Sequence, residues 1–230
     1  MPGSNIIVAL DYPTMESALA LSNQLDPSRC RVKVGKELFT RSGPQVVEKL
    51  VSQGFDVFLD LKYHDIPNTV AKACLAAADL GVWMMNIHTL GGQKMMVAAK
   101  EAIAKHRNSP ILIGVTLLTS MDQQTFEQIG LTGSISDTVL KLAQLANDSG
   151  LDGVVCSAQE ASQLRQIHGE NFQLITPGIR PANSAQGDQH RTMTPKQALD
   201  AGSSYLVIGR PITAAEDPMK ALDAIEKSLR

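Results

Sequence analysis

Five charged side chains stand where buried strands should be apolar or have only just ended. Asp11 follows Ile6-Ile7-Val8-Ala9-Leu10, and Lys33 splits Val32-Lys33-Val34. Asp60 and Lys62 close Phe58-Leu59-Asp60-Leu61-Lys62, and Asp65 comes in the loop just beyond. Asp60 and Lys62 are two residues apart, so in a strand they share one face. A lone buried charge costs several kcal/mol, whereas acids and lysines interleaved in one array keep every member ionised. Groups held in that way can move protons and stabilise charge in a reacting molecule. Each also has a plainer reading. Asp11 could cap the following helix, Asp65 could cap a helix beginning at Ile66-Pro67-Asn68, and Asp60 with Lys62 could be a structural ion pair.

A second group of residues suits an anion. Ile208-Gly209-Arg210-Pro211 joins a strand to a short helix. There a glycine admits backbone close to a ligand, a helix start offers N–H donors, and Arg210 adds a forked cation. Thr176-Pro177-Gly178-Ile179-Arg180-Pro181 leads into a polar stretch of small residues. A flap over about 180–192 is expected there, with Arg180 and Gln189 as ligand contacts. The alternative is an ordinary solvated loop.

These residues need a scaffold, and the chain supplies one rhythm. Runs rich in Val, Ile and Leu recur at Asn5–Asp11, Arg31–Gly35, Phe55–Lys62, Trp83–Thr89, Pro110–Leu118, Gly153–Ala158, Gln173–Gly178 and Tyr205–Arg210. They read as strands buried on both faces. Amphipathic helical patterns lie between them: Val139, Leu142, Ala143 and Ala146 fall on one stripe of a helix over Ser136–Asn147. Asp217-Pro218 opens a last helix that presents Met219, Leu222, Ile225 and Leu229. Gly54, Gly81, Gly150 and Gly202 stand as helix stops before the next strand. Strict alternation implies parallel strands, and eight units in 230 residues imply a single (β/α)8 TIM barrel over 1–230. An open doubly wound sheet is the alternative. Thr119–Asp152 has room for an extra helix, and both it and Ile179–Ser204 should lie on the face of the barrel that carries active sites.

Composition removes several classes of function. Lys and Arg total 21 against 23 Asp and Glu, a formal net charge of -2, and aromatics are only 4%. A nucleic-acid groove, with its basic footprint and stacking platforms, is disfavoured. No apolar run approaches a membrane span, and Met1-Pro2-Gly3-Ser4-Asn5 lacks the charged leader of a signal peptide. Cys30, Cys74 and Cys156 are odd in number and widely spaced, the usage of a reducing cytoplasm rather than of a disulfide scaffold or zinc site. Cys156 and Ser157 end the sixth strand, where a buried cysteine packs rather than reacts. His64 and His88 read as packing groups near the mouth of the barrel, and His190 as solvated.

Asp60-Leu61-Lys62-Tyr63-His64-Asp65-Ile66-Pro67-Asn68-Thr69-Val70 resembles the signature of the orotidine 5'-phosphate decarboxylase family. The resemblance continues through Ala9-Leu10-Asp11, Val32-Lys33-Val34-Gly35, Asn86-Ile87-His88, Val115-Thr116-Leu117-Leu118-Thr119-Ser120, Thr176-Pro177-Gly178-Ile179-Arg180 and Gly209-Arg210-Pro211-Ile212. The Asp-x-Lys-x-x-Asp core also occurs in sister enzymes that use magnesium, the ketogulonate-phosphate decarboxylases and hexulose-phosphate synthases. Those relatives carry an acid where this chain has Lys33. The family resemblance implies a cytoplasmic homodimer that makes UMP and CO2 without metal or other cofactor. It implies Lys62 as proton donor, flanked by Lys33 and Asp60, with Asp65, Ile66 and Thr69 reaching into the partner's site. Asp11 and Lys33 would hold ribose hydroxyls and Thr119 would sit by the pyrimidine. Arg180, Gln189, Gly209 and Arg210 would hold the phosphate or close over it. Two other readings are a metal-dependent sugar-phosphate decarboxylase or aldolase on the same barrel, and a non-catalytic nucleotide-binding barrel. The second would keep Gly209 and Arg210 without needing the charges together.

Overall fold

The computed structural model describes residues 4–181 and 193–229. The strands are β1 (Ile6–Ala9), β2 (Arg31–Gly35), β3 (Val57–Tyr63), β4 (Met84–His88), β5 (Ile111–Val115), β6 (Gly153–Val155), β7 (Gln173–Thr176) and β8 (Tyr205–Ile208). They pair in sequence order, all parallel, and β8 returns to β1 to close a barrel. The open doubly wound alternative is thereby excluded. The helices outside it are α1 (Met15–Ser22), α2 (Lys36–Ser42), α3 (Gln45–Ser52), α4 (Pro67–Asp79), α5 (Gly92–Ala104), α6 (Gln123–Gln128), α7 (Ile135–Asp148), α8 (Ala158–His168), α9 (Pro195–Asp200), α10 (Arg210–Thr213) and α11 (Pro218–Ser228). Among the described residues, no helix is long and apolar enough to cross a membrane.

Period-two alternation divides the core in two. On β1, Ile7 and Ala9 face the barrel axis, while Ile6 and Val8 pack outward under the helices. Phe58, Met84, Ile113, Ile175 and Val207 join Ile7 and Ala9 to fill the interior. This is a packed barrel core rather than a pore. Its N-terminal end is closed by Arg31, whose guanidinium lies 4.4 Å from the centroid of the Trp83 ring and 5.1 Å from that of Tyr205. Arg31 is also paired with Asp56 at 3.1 Å.

Helix ends follow local chemistry. Asp217 caps α11 ahead of Pro218, as the sequence implies, and Ser134 caps α7, which begins at Ile135 rather than Ser136. Ser157 and Glu160 form a reciprocal capping box on α8, so Ser157 is a helix cap. The extra helix expected between Thr119 and Asp152 is α6. Most strands end earlier than their apolar runs predict: β1 stops at Ala9 rather than Asp11, and β8 at Ile208 rather than Arg210. The last residues of those runs leave the ladder at the C-terminal mouth and begin its loops.

Tight packing between strands is most severe at Gly153, where an added Cβ would lie 2.1 Å from the Gln173 carbonyl oxygen of β7. Neither backbone can yield without breaking the β6–β7 pairing. Gly153→Ala should therefore destabilise the fold by about 1–3 kcal/mol or more, read as a lower urea midpoint. An unchanged midpoint would contradict this account of the barrel wall.

Candidate active site

A cavity of about 490 Å³ opens at the C-terminal mouth of the barrel. Its floor is apolar, from Phe58, Val115, Val155, Ile175 and Val207, and its rim carries Asp11, Lys33, Asp60 and Lys62 on one side. Thr119, Arg180, Gly209 and Arg210 line it elsewhere, so four of the five charges singled out in the sequence meet the described residues of the anion-suited group at one opening.

The charges alternate in space as well as in sequence. The Lys33 ammonium lies 3.2 Å from Asp11 Oδ1 and 3.3 Å from Asp60 Oδ2. The other Asp60 oxygen accepts from the Lys62 ammonium and, at 2.7 Å, from the Asn86 amide. Lys33 is only 8% exposed. Burial opposes its charge, but Asp60 and Asp11, through charge and hydrogen bonds, outweigh that and hold its pKa above the ordinary lysine value. Burial likewise opposes ionisation of Asp60. The charges of Lys33 and Lys62, with hydrogen bonds from Lys62 and Asn86, reverse the effect and hold its carboxyl below the ordinary range. The charged forms of Lys33 and Asp60 thus support each other. A Cβ at Gly35 would come within 3.3 Å of the Lys33 ammonium and 3.4 Å of Asp11, so a glycine here leaves room for the pair.

Simple alternation does not describe how Lys62 reaches the mouth. Lys62 has φ 53, the one left-handed non-glycine residue among those described. Such a conformation costs about 1–3 kcal/mol and persists only where surrounding structure enforces it. The β3–β4 register shifts at the same point: Leu59 pairs with Met85, but Tyr63 pairs with Ile87. Three residues of β3 therefore face Asn86 alone. Asn86 is 0% exposed, and its side-chain oxygen accepts the Lys62 backbone N–H at 2.8 Å. Sequence reasoning assigned Asn86 no role. The available signal was an amide within the otherwise apolar Met84-Met85-Asn86-Ile87, where a buried polar group needs partners.

The remaining expectations divide. Thr14, not Asp11, caps α1, which removes the capping reading of Asp11. Asp65 is not the cap of α4 either: Ile66 holds that position, and Asp65 accepts the Ile66 N–H at 2.6 Å. Asp65, Ile66 and Thr69 are all exposed and none lines this chain's own cavity. Tyr12 donates to the Thr213 carbonyl at 3.0 Å, tying the loop after β1 to α10 beside Gly209 and Arg210. Of the expected flap, only Arg180 and Pro181 are described; Gln189 and His190 lie outside the described residues. His64 and His88 have ring centroids 5.4 Å apart. Burial, then the charges of His64, Lys36 and Lys62, push His88 down to about 4. Cys156 is buried, and burial drives its thiol pKa up, which leaves it inert. Among the described residues, no three His, Cys, Asp or Glu side chains gather as a metal-binding group.

The chain is similar to known proteins over nearly its whole length. Residues 4–225 match the model of the "Orotidine 5'-phosphate decarboxylase / HUMPS family". The chain is 64% identical over 229 residues to an orotidine 5'-phosphate decarboxylase of Nitrosococcus oceani, covering 100% of this chain and 99% of the other. It is 60% identical to one of Hydrogenovibrio crunogenus, over 99% of this chain and 97% of that one. Among solved structures, an orotidine 5'-phosphate decarboxylase from Lactobacillus acidophilus superposes with a TM-score of 0.88 at 41% identity, covering 98% of each chain. By sequence over nearly its whole length, and by fold, this chain belongs to the orotidine 5'-phosphate decarboxylase / HUMPS family.

Proposed function

We propose that this protein decarboxylates orotidine 5'-phosphate to UMP and CO2, the last step of UMP synthesis, in the cytoplasm and without a cofactor. The observation that carries this reading is the alternating Asp11–Lys33–Asp60–Lys62 array at the rim of an apolar cavity. Loss of CO2 from C6 of the pyrimidine leaves an electron pair in the ring plane, beyond the reach of the ring π system. Stabilisation must then come from a positive group fixed beside C6. The Lys62 ammonium serves as that group and delivers a proton to C6 as the C–C bond breaks. Asp60, paired with both Lys33 and Lys62, holds that ammonium in place and faces the departing carboxylate.

The rest of the cavity fits the remainder of a nucleotide. Phe58, Val115, Val155, Ile175 and Val207 offer an apolar bed for the ring, with Thr119 at its polar edge. Asp11 and Lys33 suit the ribose hydroxyls. Arg180, Gly209 and Arg210 suit the phosphate, joined by Gln189 from the segment over about 180–192. Binding energy from that remote phosphate is then expressed at the transition state.

The working unit is a homodimer in which Asp65, Ile66 and Thr69 enter the partner's cavity. Support comes from the exposed loops after β3, β4 and β5, which carry Ile66 at 67% exposure together with Leu90 and Leu118. Exposed apolar residues of this kind, each following one of three neighbouring strands, suit burial against another chain. Asp65, turned away from its own cavity, would extend the partner's array by one carboxylate beyond Lys62.

Three measurements test this reading. Lys62→Ala should abolish turnover of orotidine 5'-phosphate while UMP binding stays measurable by calorimetry; wild-type-like turnover would remove Lys62 from its role. Mixing inactive Lys62→Ala chains with inactive Asp65→Ala chains should restore part of the activity through hybrid sites. If labelled subunits exchange and no activity returns, the shared site is wrong. Turnover by wild-type protein should survive exhaustive chelation, followed as loss of substrate absorbance. Loss of activity on chelation, restored by magnesium, would favour the metal-dependent alternative.

A further inference from the structure

The break in the β3–β4 ladder leaves a backbone donor that strand pairing does not serve. Between the Leu59–Met85 and Tyr63–Ile87 pairs, β3 spends three residues where β4 spends one. Lys62 sits inside that excursion in the left-handed conformation, and its N–H points across to β4. The residue opposite is Asn86, and its carboxamide is used at both ends. Oδ1 accepts the Lys62 N–H at 2.8 Å, and Nδ2 donates to Asp60 Oδ1 at 2.7 Å. That same Asp60 oxygen accepts from the Lys62 ammonium. A closed loop results, running from the Lys62 backbone through Asn86 and Asp60 to the Lys62 side chain.

Few side chains could close it. The group at position 86 must present an acceptor to an N–H and a donor to a carboxylate from the two ends of one short planar unit. Those partners also fix which end of the amide is oxygen. Aspartate at neutral pH has no donor and would set a second negative charge against Asp60. Serine is too short to span both partners, and an apolar residue would strand a buried N–H.

Resting on the decarboxylase reading above, we propose that Asn86 is a positioning residue for the reaction. Its carboxamide holds the Lys62 backbone in the left-handed turn and aims Asp60, so that the ammonium stands at C6 before substrate arrives. Asn86 does not line the cavity and touches no reacting atom. Its effect passes entirely through Lys62 and Asp60, so it should govern turnover rather than nucleotide affinity.

Asn86→Ala and Asn86→Asp separate this role from simple support of the fold. In both, kcat for orotidine 5'-phosphate at neutral pH should fall by about 100-fold or more, as for a misplaced reacting group. The Kd of UMP should change by less than about 3-fold, because the ribose and phosphate contacts are untouched. Asn86→Asp keeps the size and shape of the side chain and decides the matter if Asn86→Ala does not fold. It also adds a signature in pH. The groups facing position 86 are Asp60 and Lys62 on β3, Lys33 behind them on β2 and His88 on β4 itself, while its partner on β5 is the apolar Ile113. A carboxyl buried beside Asp60 titrates above its ordinary range, and its protonated form again offers both an acceptor and a donor. The ratio of variant to wild-type kcat should therefore rise by about 10-fold or more as pH falls from about 8 to about 5.5. The inference is overturned by kcat within about 3-fold of wild type, by a ratio in Asn86→Asp that is flat with pH, or by UMP affinity falling in step with kcat. A wild-type protein that does not turn over orotidine 5'-phosphate overturns the decarboxylase reading, and this inference with it. Active wild type alongside active Asn86 variants overturns this inference alone.

Discussion

An ammonium group inside a barrel is stable only if opposite charge reaches it in the same small volume. Lys33 meets that condition twice, with Asp11 on one side and Asp60 on the other. Leaving one partner of such a buried pair unmatched typically costs about 3–5 kcal/mol. The four rim charges are therefore a single unit, at whose centre Lys33 and Asp60 depend on their neighbours to stay ionised. Much of the local structure answers to this constraint. Gly35 leaves space beside Lys33, Asn86 supplies the last donor to Asp60, and β1, β2 and β3 stand side by side so that their ends meet.

The mouth is built by departures from regular structure and the barrel by adherence to it. Below the rim, inward residues alternate strictly, and Ile7, Phe58, Met84 and Ile113 fill the axis. At the rim, β1 and β8 release their last residues into loops, while β3 keeps its pairing but shifts register and turns through Lys62. Strain of that kind would be lost to relaxation in a loosely packed loop. Here it is pinned from β4 through a fully buried amide.

This division explains which features are legible in the sequence. Strand rhythm, helix stops and barrel closure follow from hydrophobic periodicity and glycine placement, which are local and repeated. Gly54, Gly81, Gly150 and Gly202 all adopt positive φ before the next strand, as helix stops should. The charges were legible because Asp and Lys are costly inside apolar runs. Asn86 was not, because its significance lies in a register shift between two strands, a relation between distant segments rather than a property of either. Spacing brought Asp60 and Lys62 to one face for an incomplete reason. A regular strand would pair them as well, but without the turn that sets the Lys62 backbone against Asn86. Strand ends were overextended because apolar character continues past the last ladder bond.

The filled axis has a further consequence for traffic. Ile7, Phe58, Met84 and Ile113 are essentially inaccessible, and the Arg31–Trp83–Tyr205 stack seals the opposite end. Among the described residues, the cavity opens at the C-terminal mouth and this packing closes it toward the other end. A small apolar gas released beside Asp60 is thus turned back from the barrel axis and leaves along the charged rim by which the nucleotide came in, so departure and arrival share one side of the barrel.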